Sequence, residues 1–443
     1  MLNRSLRVLS VLLLAGLVYL GFTRQPAPAA NDGRVHIQYW EKWNTHEGEA
    51  MRVVVNEFNR SQDRIFVEVL AISDVAQKML LATAGGVPPD VAGIWGDNIS
   101  SFADKQALLP LDDYLRRAGM TRDDYIPAYW DVCKYKGHMY ALPSAPHSLA
   151  LHWNKKLFRE AGLDPERPPR TIEELDEYAD RLTKRDERGH LVQMGFLPSE
   201  PGWWNWAWGY FFGGDLWNGK DKITADSPEN IRAYKWVRTY SEKYGVGALQ
   251  VFRSGFGNWS SPQNAFLSGR VAMELQGVWM GNYIHKYAPR MEWGAAPFPY
   301  PADNPDLAQV TFIESDVLAI PVGARHPDEA FEFIRFVNSQ KGMELLNLGQ
   351  RKHSALANVS KEFIAKHPNP YIQVFIDVAK RKRPCMSPRT AIWSEYNAEM
   401  TAAFDAIWLG QVTPEEGLRR VRERMQPKLD RALQETARRE RKP

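Results

Sequence analysis

The first hundred residues alternate between two spacings of apolar side chains. Residues 35–40 (VHIQYW) alternate apolar and polar positions and carry β-branched side chains, which predicts a strand. The spacing becomes helical through EKWNTHEGEAMRVVVNEFNRS and returns to strand character in IFVEVLAI. Residues 75–84 predict a second helix that ends at Gly85, and PPDVAGIW predicts a further buried strand. Strands that alternate with helices predict an α/β lobe on a mostly parallel sheet.

A second α/β region is predicted to begin near Pro143. Residues 137–154 predict a strand, a proline-containing crossing and another strand, and TIEELDEYADRLTK predicts a helix with Thr171 as its N-cap. Residues 264–275 (NAFLSGRVAMEL) predict a helix, a stop at Gly269 and a strand. Farther along, VTFIESDVLAI predicts another crossing strand and HPDEAFEFIRFVNS an amphipathic helix, and the last third of the chain is predicted to be helical.

Aromatic, acidic and amide side chains follow two strands of the first region. Ligands of open α/β sheets bind beyond the carboxyl ends of the strands. Indole faces can stack on sugar rings while carboxylates and amides bind the hydroxyls. The alternative is that the tryptophans seal the sheet edge and the acids cap helices. The residues concerned are Trp40, Glu41, Trp43 and Asn44 after the first strand, and Trp95, Gly96, Asp97 and Asn98 after the third.

Four tryptophans fall within the six residues 203–208 (WWNWAW). On a helical projection this segment and the following GYFF are apolar over most of the circumference, which is typical of a buried helix. Trp206, Trp208 and Phe211 are therefore predicted to lie in the core. Trp203 and Trp204, which enter from SEPG, remain candidates for a stacking surface.

Composition and charge exclude some functions. The chain has 443 residues with 12% aromatic side chains, and its formal charge of +3 equals the three arginines within the first 30 residues. The rest of the chain is formally neutral, which argues against a nucleic-acid partner. Residues 1–30 combine a basic start, a short apolar run and small residues, which predicts a cleaved secretory signal peptide; an uncleaved membrane anchor is the alternative.

Motifs for catalysis or metal binding are lacking in the sequence. The chain has no P-loop, Gly-x-Ser-x-Gly elbow, His-Glu-x-x-His motif or clustered Cys/His set. Its two cysteines, Cys133 and Cys385, lack metal-site spacing, and both a disulfide and two buried thiols remain open. No catalytic residue, metal or cofactor is predicted. Asp90 in PPDV is interpreted as structural, fixing the turn into its strand.

Several segments together resemble the extracellular solute-binding proteins of bacterial ABC importers, in particular the maltose-binding-protein-like sugar group. KMLLATAGGVPPDVAGIW is similar to the helix, small-Gly-x-x-Pro-Asp and strand of that family. Further matches are HMYALPSAPHSLALHWNKKLFREAGLDPERPPRTIEEL, NAFLSGRVAMELQGVWM and SDVLAIPVGARHPDEAFEFIRFVNS. They are spread over nearly the whole chain after the leader, although no single motif is specific. The lipoprotein cysteine of many relatives is missing, which favours release into a periplasm.

The resemblance implies a type II periplasmic binding protein fold, with two α/β lobes joined by three crossings and a ligand cleft between them. One lobe would comprise residues 33–143 and 315–354, and the other residues 144–314 and 355–443. It also implies closure by hinge motion. The expected ligand is a sugar or oligosaccharide, the expected partners are the membrane permease subunits, and the chain is expected to act as a monomer.

Ten candidate ligand-binding residues follow from the strand ends and the resemblance. Trp279 stands where family members place a stacking aromatic. His147, Glu314 and Arg351 lie on or beside the three crossings, and two acids in FIESD depart from the small residues of many relatives. The full set is Glu41, Trp43, Trp95, Asp97, His147, Trp203, Trp204, Trp279, Glu314 and Arg351.

Two other functions remain open. A binding protein of the same fold could serve a sensor or chemoreceptor instead of a transporter. A glycoside hydrolase would use a carboxylate pair such as Glu41 and Asp97, at the separations that retaining or inverting enzymes require. The sequence does not specify the sugar or its length.

Overall fold

The computed structural model describes residues 32–257 and 261–440. The predicted signal peptide lies outside the described residues. Within the described part, no helix combines the length and the apolarity needed to cross a membrane.

A mixed sheet of ten strands runs through the molecule. Its order is β2-β1-β3-β11-β6-β9-β8-β7, with β10 paired to β6 and β12 paired to β11, and β4 and β5 form a separate hairpin. β1 pairs in parallel with β2 and β3, as predicted. The strands are β1 Val35–Glu41, β2 Ile65–Ala71, β3 Val91–Trp95, β4 Lys134–Tyr135, β5 His138–Met139, β6 Ala141–Asn154, β7 Lys184–Arg185, β8 Leu191–Phe196, β9 Val271–Gly277, β10 Trp293–Ala296, β11 Val310–Ala319 and β12 Arg383–Cys385.

Helices cover the sheet and make up most of the last third of the chain, as predicted. The predicted N-cap at Thr171 is confirmed, because its hydroxyl accepts a hydrogen bond from the Glu174 N–H at 3.2 Å. The α-helices are His46–Ser61, Val75–Ala84, Ile99–Asp104, Asp112–Ala118, Pro127–Val132, Lys155–Glu160, Ile172–Leu182, Trp208–Phe211, Pro228–Tyr244, Val246–Arg253, Met280–Tyr287, Pro327–Val337, Gln340–Gly349, Lys361–Ala365, Ile372–Ala379, Trp393–Trp408 and Pro414–Glu440.

Three segments differ from the predicted elements: residues 141–154, residues 264–268 and the tryptophan-rich residues 203–208. Residues 141–154 form one strand, β6, rather than two, because Pro143 and Pro146 flank a β-bulge at which the pairing with β11 shifts register. The helix predicted around residues 264–268 is wrong: this segment forms turns, in which the Asn264 side chain accepts the N–H groups of Phe266 and Leu267.

The tryptophan-rich segment is not a regular helix either. It forms a turn, a 3₁₀ segment at Asn205–Ala207 and a single helical turn at Trp208–Phe211. Burial of Trp206, Trp208 and Phe211 is nevertheless confirmed. Their rings pack in the second core described below, so the apolar composition predicted the burial correctly while the assumed periodicity was wrong.

The buried apolar side chains form two separate cores. The first is drawn from residues 37–145 and 313–355 with Ala379, and the second from residues 149–312 and 372–429. The chain passes between them in β6, in β11 and between Ala355 and Ile372. Cys133 and Cys385 lie in different cores as buried free thiols. The lobe boundaries given above stay a prediction, since burial alone does not define which parts move together.

Asp90 connects β1 to a distant loop in the first core. Its carboxylate accepts hydrogen bonds from the backbone N–H groups of Gln38 at 2.9 Å, Arg325 at 3.1 Å and His326 at 3.0 Å. Asp90 therefore has a structural role, but its carboxylate joins β1 to the loop at residues 325–326 rather than fixing the turn into its own strand.

Replacement of Asp90 by alanine is expected to lower the free energy of unfolding by about 2 kcal/mol, because it leaves three N–H donors without their charged acceptor. Urea denaturation measures the change. Asp63→Ala is the control, because Asp63 is exposed. An equal loss in both variants would contradict this role for Asp90.

Candidate functional site

Charged or titratable side chains on β6, on β11 and just before the third crossing meet at one point. His147 lies on β6, Asp316 on β11, and Lys352 follows the helix Gln340–Gly349. The Asp316 carboxylate lies 2.8 Å from Nε2 of His147 and 3.8 Å from Nζ of Lys352. Asp316 and Lys352 are almost completely buried. The pairing of β6 with β11 thus brings together His147 and Asp316, which are 169 positions apart in the chain.

Lys42 joins this group from the end of β1. Its Nζ lies 3.0 Å from the Asp316 carboxylate and 3.4 Å from that of Glu41. Burial alone would lower the pKa of Lys42, but the carboxylates of Asp316 and Glu41 outweigh it and raise that pKa. For Asp316 the opposite holds: burial would raise its pKa, and Lys42, His147 and Lys352 hold it below the usual range. Both groups are therefore charged at neutral pH.

Aromatic rings surround these charges. Nζ of Lys352 lies 5.4 Å from the ring centroid of Trp43, which belongs to the first core, and 6.0 Å from that of Trp279, which belongs to the second. The rings of His147 and Trp279 meet edge to face at 5.0 Å. We call Lys42, Trp43, His147, Trp279, Asp316 and Lys352 the central cluster. It lies where the two cores meet, at β6 and β11 and just before the third crossing.

The paired tryptophans Trp203 and Trp204 extend the central cluster into the second lobe. Their ring centroids lie 6.1 Å and 5.8 Å from that of Trp279. Trp204 is 8% exposed, whereas Trp203 is 38% exposed. On the first-lobe side, Trp95 is 45% exposed and its ring centroid lies 5.5 Å from Nζ of Lys42. The exposed faces of Trp95 and Trp203 are thus accessible to a solute.

Glu41 is buried and bonded within its own lobe. Its carboxylate accepts hydrogen bonds from the Tyr39 hydroxyl and from the Lys42 N–H. A Cβ at position 93 would overlap this carboxylate, so glycine at that position leaves room for it. Glu41 therefore contacts the central cluster through Lys42.

A second group of polar residues lies beside the central cluster, around Glu314 of β11. Glu314 accepts hydrogen bonds from the Ser387 N–H at 2.8 Å and from its hydroxyl, and lies 3.6 Å from the Arg389 guanidinium. Arg389 also donates to the Gly96 carbonyl at 2.7 Å. The 3₁₀ turn after β3 is thereby joined to a segment near the C-terminus.

Asp97 belongs to this second group. Its Oδ1 is buried and lacks a hydrogen-bond partner. Burial, followed by the charge of Glu314, raises the pKa of Asp97 to about 7, although Arg389 opposes the shift. The carboxyl is therefore partly protonated near neutral pH and can both donate and accept hydrogen bonds.

Arg351 is the predicted site residue that the structure separates from the aromatic rings. It adopts a left-handed backbone conformation with φ of +54°, and its guanidinium donates to the Pro368 carbonyl at 3.3 Å. The adjacent Lys352 contributes the charge to the central cluster instead.

Sequence reasoning missed Lys42, Lys352 and Arg389, and it noted Asp316 as one of two acids at a crossing without placing it among the candidate ligand-binding residues. Lys42 had a detectable signal, since it stands between the two candidates Glu41 and Trp43. Lys352 and Arg389 had none, because their partners lie on crossings far away in the sequence.

The arrangement is suited to binding a polyhydroxylated molecule. Indole faces, carboxylates and ammonium groups converge, and the carboxylates of Asp316 and Glu314 each lie beside a cation. Among residues 32–257 and 261–440, no three His, Cys, Asp or Glu side chains are placed to hold a metal ion.

The raised pKa of Asp97 predicts a specific pH dependence. Between about pH 4 and pH 7 the folded state binds more protons than the unfolded state, because the carboxyl ionises near pH 4 once it is exposed. The contribution of the Asp97 carboxyl to the free energy of unfolding is therefore present at low pH and is lost as the pH rises towards 7.

Asp97→Asn should remove that decline and raise the free energy of unfolding at pH 8 by about 2 kcal/mol relative to the parent. Urea denaturation from pH 4 to pH 8 tests this. Glu314, Arg389 and Asp316 face the same carboxyl and are present in both proteins, so the difference between parent and variant isolates Asp97. Parallel pH profiles would contradict the prediction.

Comparisons with known proteins place the chain in a family. Residues 42–344 match the family described as bacterial extracellular solute-binding protein. The chain is 22% identical over 314 residues to the maltotriose-binding protein of Pyrococcus abyssi, a match that covers 69% of this chain and 63% of that protein. It is also 22% identical over 440 residues to the sn-glycerol-3-phosphate-binding periplasmic protein UgpB of Pectobacterium atrosepticum, covering 93% and 94%. Both relatives are binding proteins rather than enzymes.

Solved structures show the same architecture. CpMnBP1 with mannobiose bound is 28% identical with a TM-score of 0.78, covering 88% of this chain and 99% of that one. The maltose-maltodextrin binding protein of Alicyclobacillus acidocaldarius is 20% identical with a TM-score of 0.66, covering 88% and 100%. The similarity to the Alicyclobacillus acidocaldarius protein, at 20% identity, concerns the fold alone. Together they confirm the predicted two-lobed α/β fold.

Proposed function

Because the chain belongs to the bacterial extracellular solute-binding proteins, we propose that it captures a short oligosaccharide between its two lobes and delivers it to an ABC importer. The observation that carries this proposal is the central cluster. Trp43 and Trp279 come from different cores and both face the ammonium group of Lys352, with Asp316 beside it. A sugar ring presents apolar CH faces to indoles and hydroxyls to such charged groups.

The proposed mechanism is closure of the two lobes around the ligand. The lobes would be residues 33–143 with 315–354, and residues 144–314 with 355–443. The division is supported by the two separate cores and by the three crossings between them. A ligand that contacts Trp43 and Trp279 together binds the closed state better than the open state, and it shifts the equilibrium by that difference in affinity.

Export and partners complete the proposal. Residues 1–30 would direct secretion into the periplasm, and the folded chain would act there as a monomer. The closed, loaded form would dock on the membrane permease subunits. The periplasmic location is supported by the relative UgpB, which is named as a periplasmic protein.

Isothermal titration calorimetry tests the ligand class. The panel contains mannobiose, mannotriose, maltose, maltotriose, the monosaccharides mannose and glucose, and sn-glycerol 3-phosphate. We expect saturable binding of at least one oligosaccharide by the purified chain without its leader. Binding of sn-glycerol 3-phosphate alone would overturn the sugar assignment in favour of the ligand after which UgpB is named.

A further inference from the structure

The helix Pro414–Glu440 extends beyond the core to which it belongs. Its buried apolar side chains recur every three or four residues, so they lie on one face, and they all pack in the second core. They are Leu418, Val421, Met425 and Leu429. The next turn contributes only the partly buried Ala432, and Leu433 is 36% exposed. Residues 433–439 therefore pack against neither core, and we call them the C-terminal arm.

The C-terminal arm contacts the first lobe at Asp104. This residue ends the helix Ile99–Asp104, and the preceding Phe102 and Ala103 belong to the first core. Nη2 of Arg439 donates to the Asp104 carboxylate at 2.8 Å, and Nη1 of the same guanidinium donates to the Asp104 backbone carbonyl at 2.5 Å. Arg439 thus binds both the side chain and the main chain of one residue of the first lobe.

The hairpin of β4 and β5 adds a second contact with the C-terminal arm. Lys136 and Gly137 form its two-residue loop, and both have positive φ angles, of +48° and +85°, as tight hairpin turns require. Nζ of Lys136 donates to the Thr436 hydroxyl at 2.7 Å and to the Asp104 carboxylate at 2.9 Å. The hairpin belongs to the first lobe, since Tyr135 packs in the first core. Two elements of the first lobe therefore bind the arm.

Asp104 is held as a charged group between one cation of each lobe. Its side chain is only 14% exposed. Burial alone would raise the pKa of Asp104, but the hydrogen bonds from Lys136 and Arg439 hold that pKa below its usual range. The contact with Asp104 in turn raises the pKa of the Arg439 guanidinium. The link between arm and first lobe is therefore a charge-assisted one at neutral pH.

These contacts occur in the same arrangement of the lobes that buries the central cluster. Trp43 of the first core and Trp279 of the second core are each 8% exposed. The side chains of Asp316 and Lys352 are 2% exposed. The arm thus joins the two lobes by hydrogen bonds, in addition to the three crossings of the chain, while the aromatic rings of the cluster lie close together.

We propose that the C-terminal arm is a latch that stabilises the closed arrangement of the two lobes and slows the release of bound ligand. This inference rests on the closure of the lobes in the proposed function. Opening of the lobes separates Asp104 and Lys136 from Thr436 and Arg439, so the hydrogen bonds of the latch form only in the closed state. An interaction that is present in one of two states shifts the equilibrium towards that state by its own free energy.

The first experiment needs no ligand. Small-angle X-ray scattering compares the chain without its leader and its Arg439→Ala variant. The variant should have the larger radius of gyration, because more of its molecules are open. Arg439 is 42% exposed, so the variant should unfold as cooperatively as the parent on heating. Equal radii of gyration would overturn the latch, whether or not the protein binds a sugar.

The second experiment measures the affinity and the dissociation rate of the sugar that binds the parent. Arg439→Ala should weaken binding about three- to fivefold, mainly through faster dissociation. Arg439→Glu should weaken it about tenfold, because it places a carboxylate against that of Asp104. Unchanged or tighter binding in both variants would overturn the latch. If the parent binds no sugar, the proposed function is wrong, and the scattering experiment alone decides about the latch.

A matched control lies on the same helix. Nη1 of Arg424 donates to the Glu399 carboxylate at 2.9 Å, and Glu399 belongs to the helix Trp393–Trp408, which also packs in the second core. Arg424→Ala removes an arginine–carboxylate pair within one lobe, so it should leave the radius of gyration and the affinity unchanged. Losses equal to those of Arg439→Ala would overturn the latch. Asp104→Ala combined with Arg439→Ala should weaken binding by less than the sum of the two single effects, because both remove the same contact.

Discussion

Trp279→Ala is expected to lower the affinity for the bound sugar by at least about 30-fold, equivalent to about 2 kcal/mol. Trp279 meets the rings of His147, Trp203 and Trp204, and its centroid lies 6.0 Å from Nζ of Lys352. Its removal takes away a stacking surface and also the ring that holds the other aromatic side chains in place. Calorimetry with the sugar that binds the parent measures the loss.

A milder variant separates stacking from folding. Trp279 is 8% exposed, so its truncation also destabilises the lobe. A Cβ at Gly277 would overlap the six-membered ring of Trp279, so Gly277→Ala should displace the indole without removing it. We expect this variant to lose at least about tenfold in affinity while its thermal unfolding remains cooperative.

Gly247→Ala is the matched control for Gly277→Ala. It makes the same substitution at a position where a new Cβ meets nothing within 4 Å. It should bind as the parent does. Unchanged sugar affinity in both Gly277→Ala and Trp279→Ala would show that Trp279 only packs the second core.

Asp316→Ala is expected to lower the free energy of unfolding by about 3 to 5 kcal/mol, the range for a broken buried ion pair. Asp316 lies 3.0 Å from Lys42, 2.8 Å from His147 and 3.8 Å from Lys352. Without it, the two buried ammonium groups keep only Glu41 at 3.4 Å and Glu47 at 2.8 Å as neighbouring carboxylates. Urea denaturation at pH 7 measures the change.

Asp303→Ala is the control for the loss of an ion pair as such. Asp303 pairs with Arg232 at 3.0 Å, but both side chains are largely exposed, so its loss should cost at most about 1 kcal/mol. Sugar affinity should fall in Asp316→Ala and stay constant in Asp303→Ala, because Lys42 and Lys352 position the rings of Trp43, Trp95 and Trp279. Equal destabilisation by the two variants would contradict a central role for Asp316.

The parts of the site that sequence reasoning predicted have either a local signal or a position implied by the family resemblance. Trp43 and Asp97 follow strands and Trp95 ends one, and the carboxyl end of a strand is a position that periodicity alone identifies. His147 and Trp279 were predicted from the resemblance. Lys352 lacked such a signal because the residue that precedes it, Arg351, offered the same charge. Only the contact with Asp316 distinguishes the two.

The errors in the predicted elements have physical causes. β6 remains one strand through two prolines because a bulge accommodates the missing donors. The helix predicted around residues 264–268 is replaced by turns because Asn264 binds the backbone locally, which hydrophobic spacing does not reveal.

By itself the sequence determined the class of fold, most of the helices and strands, and the burial of Trp206, Trp208 and Phe211, because these depend on local spacing and apolar composition. The tertiary structure alone decided which charges meet. Lys42 follows β1, His147 lies on β6, Asp316 lies on β11 and Lys352 follows the helix Gln340–Gly349. Electrostatic interactions between such buried groups depend on distance in space rather than along the chain.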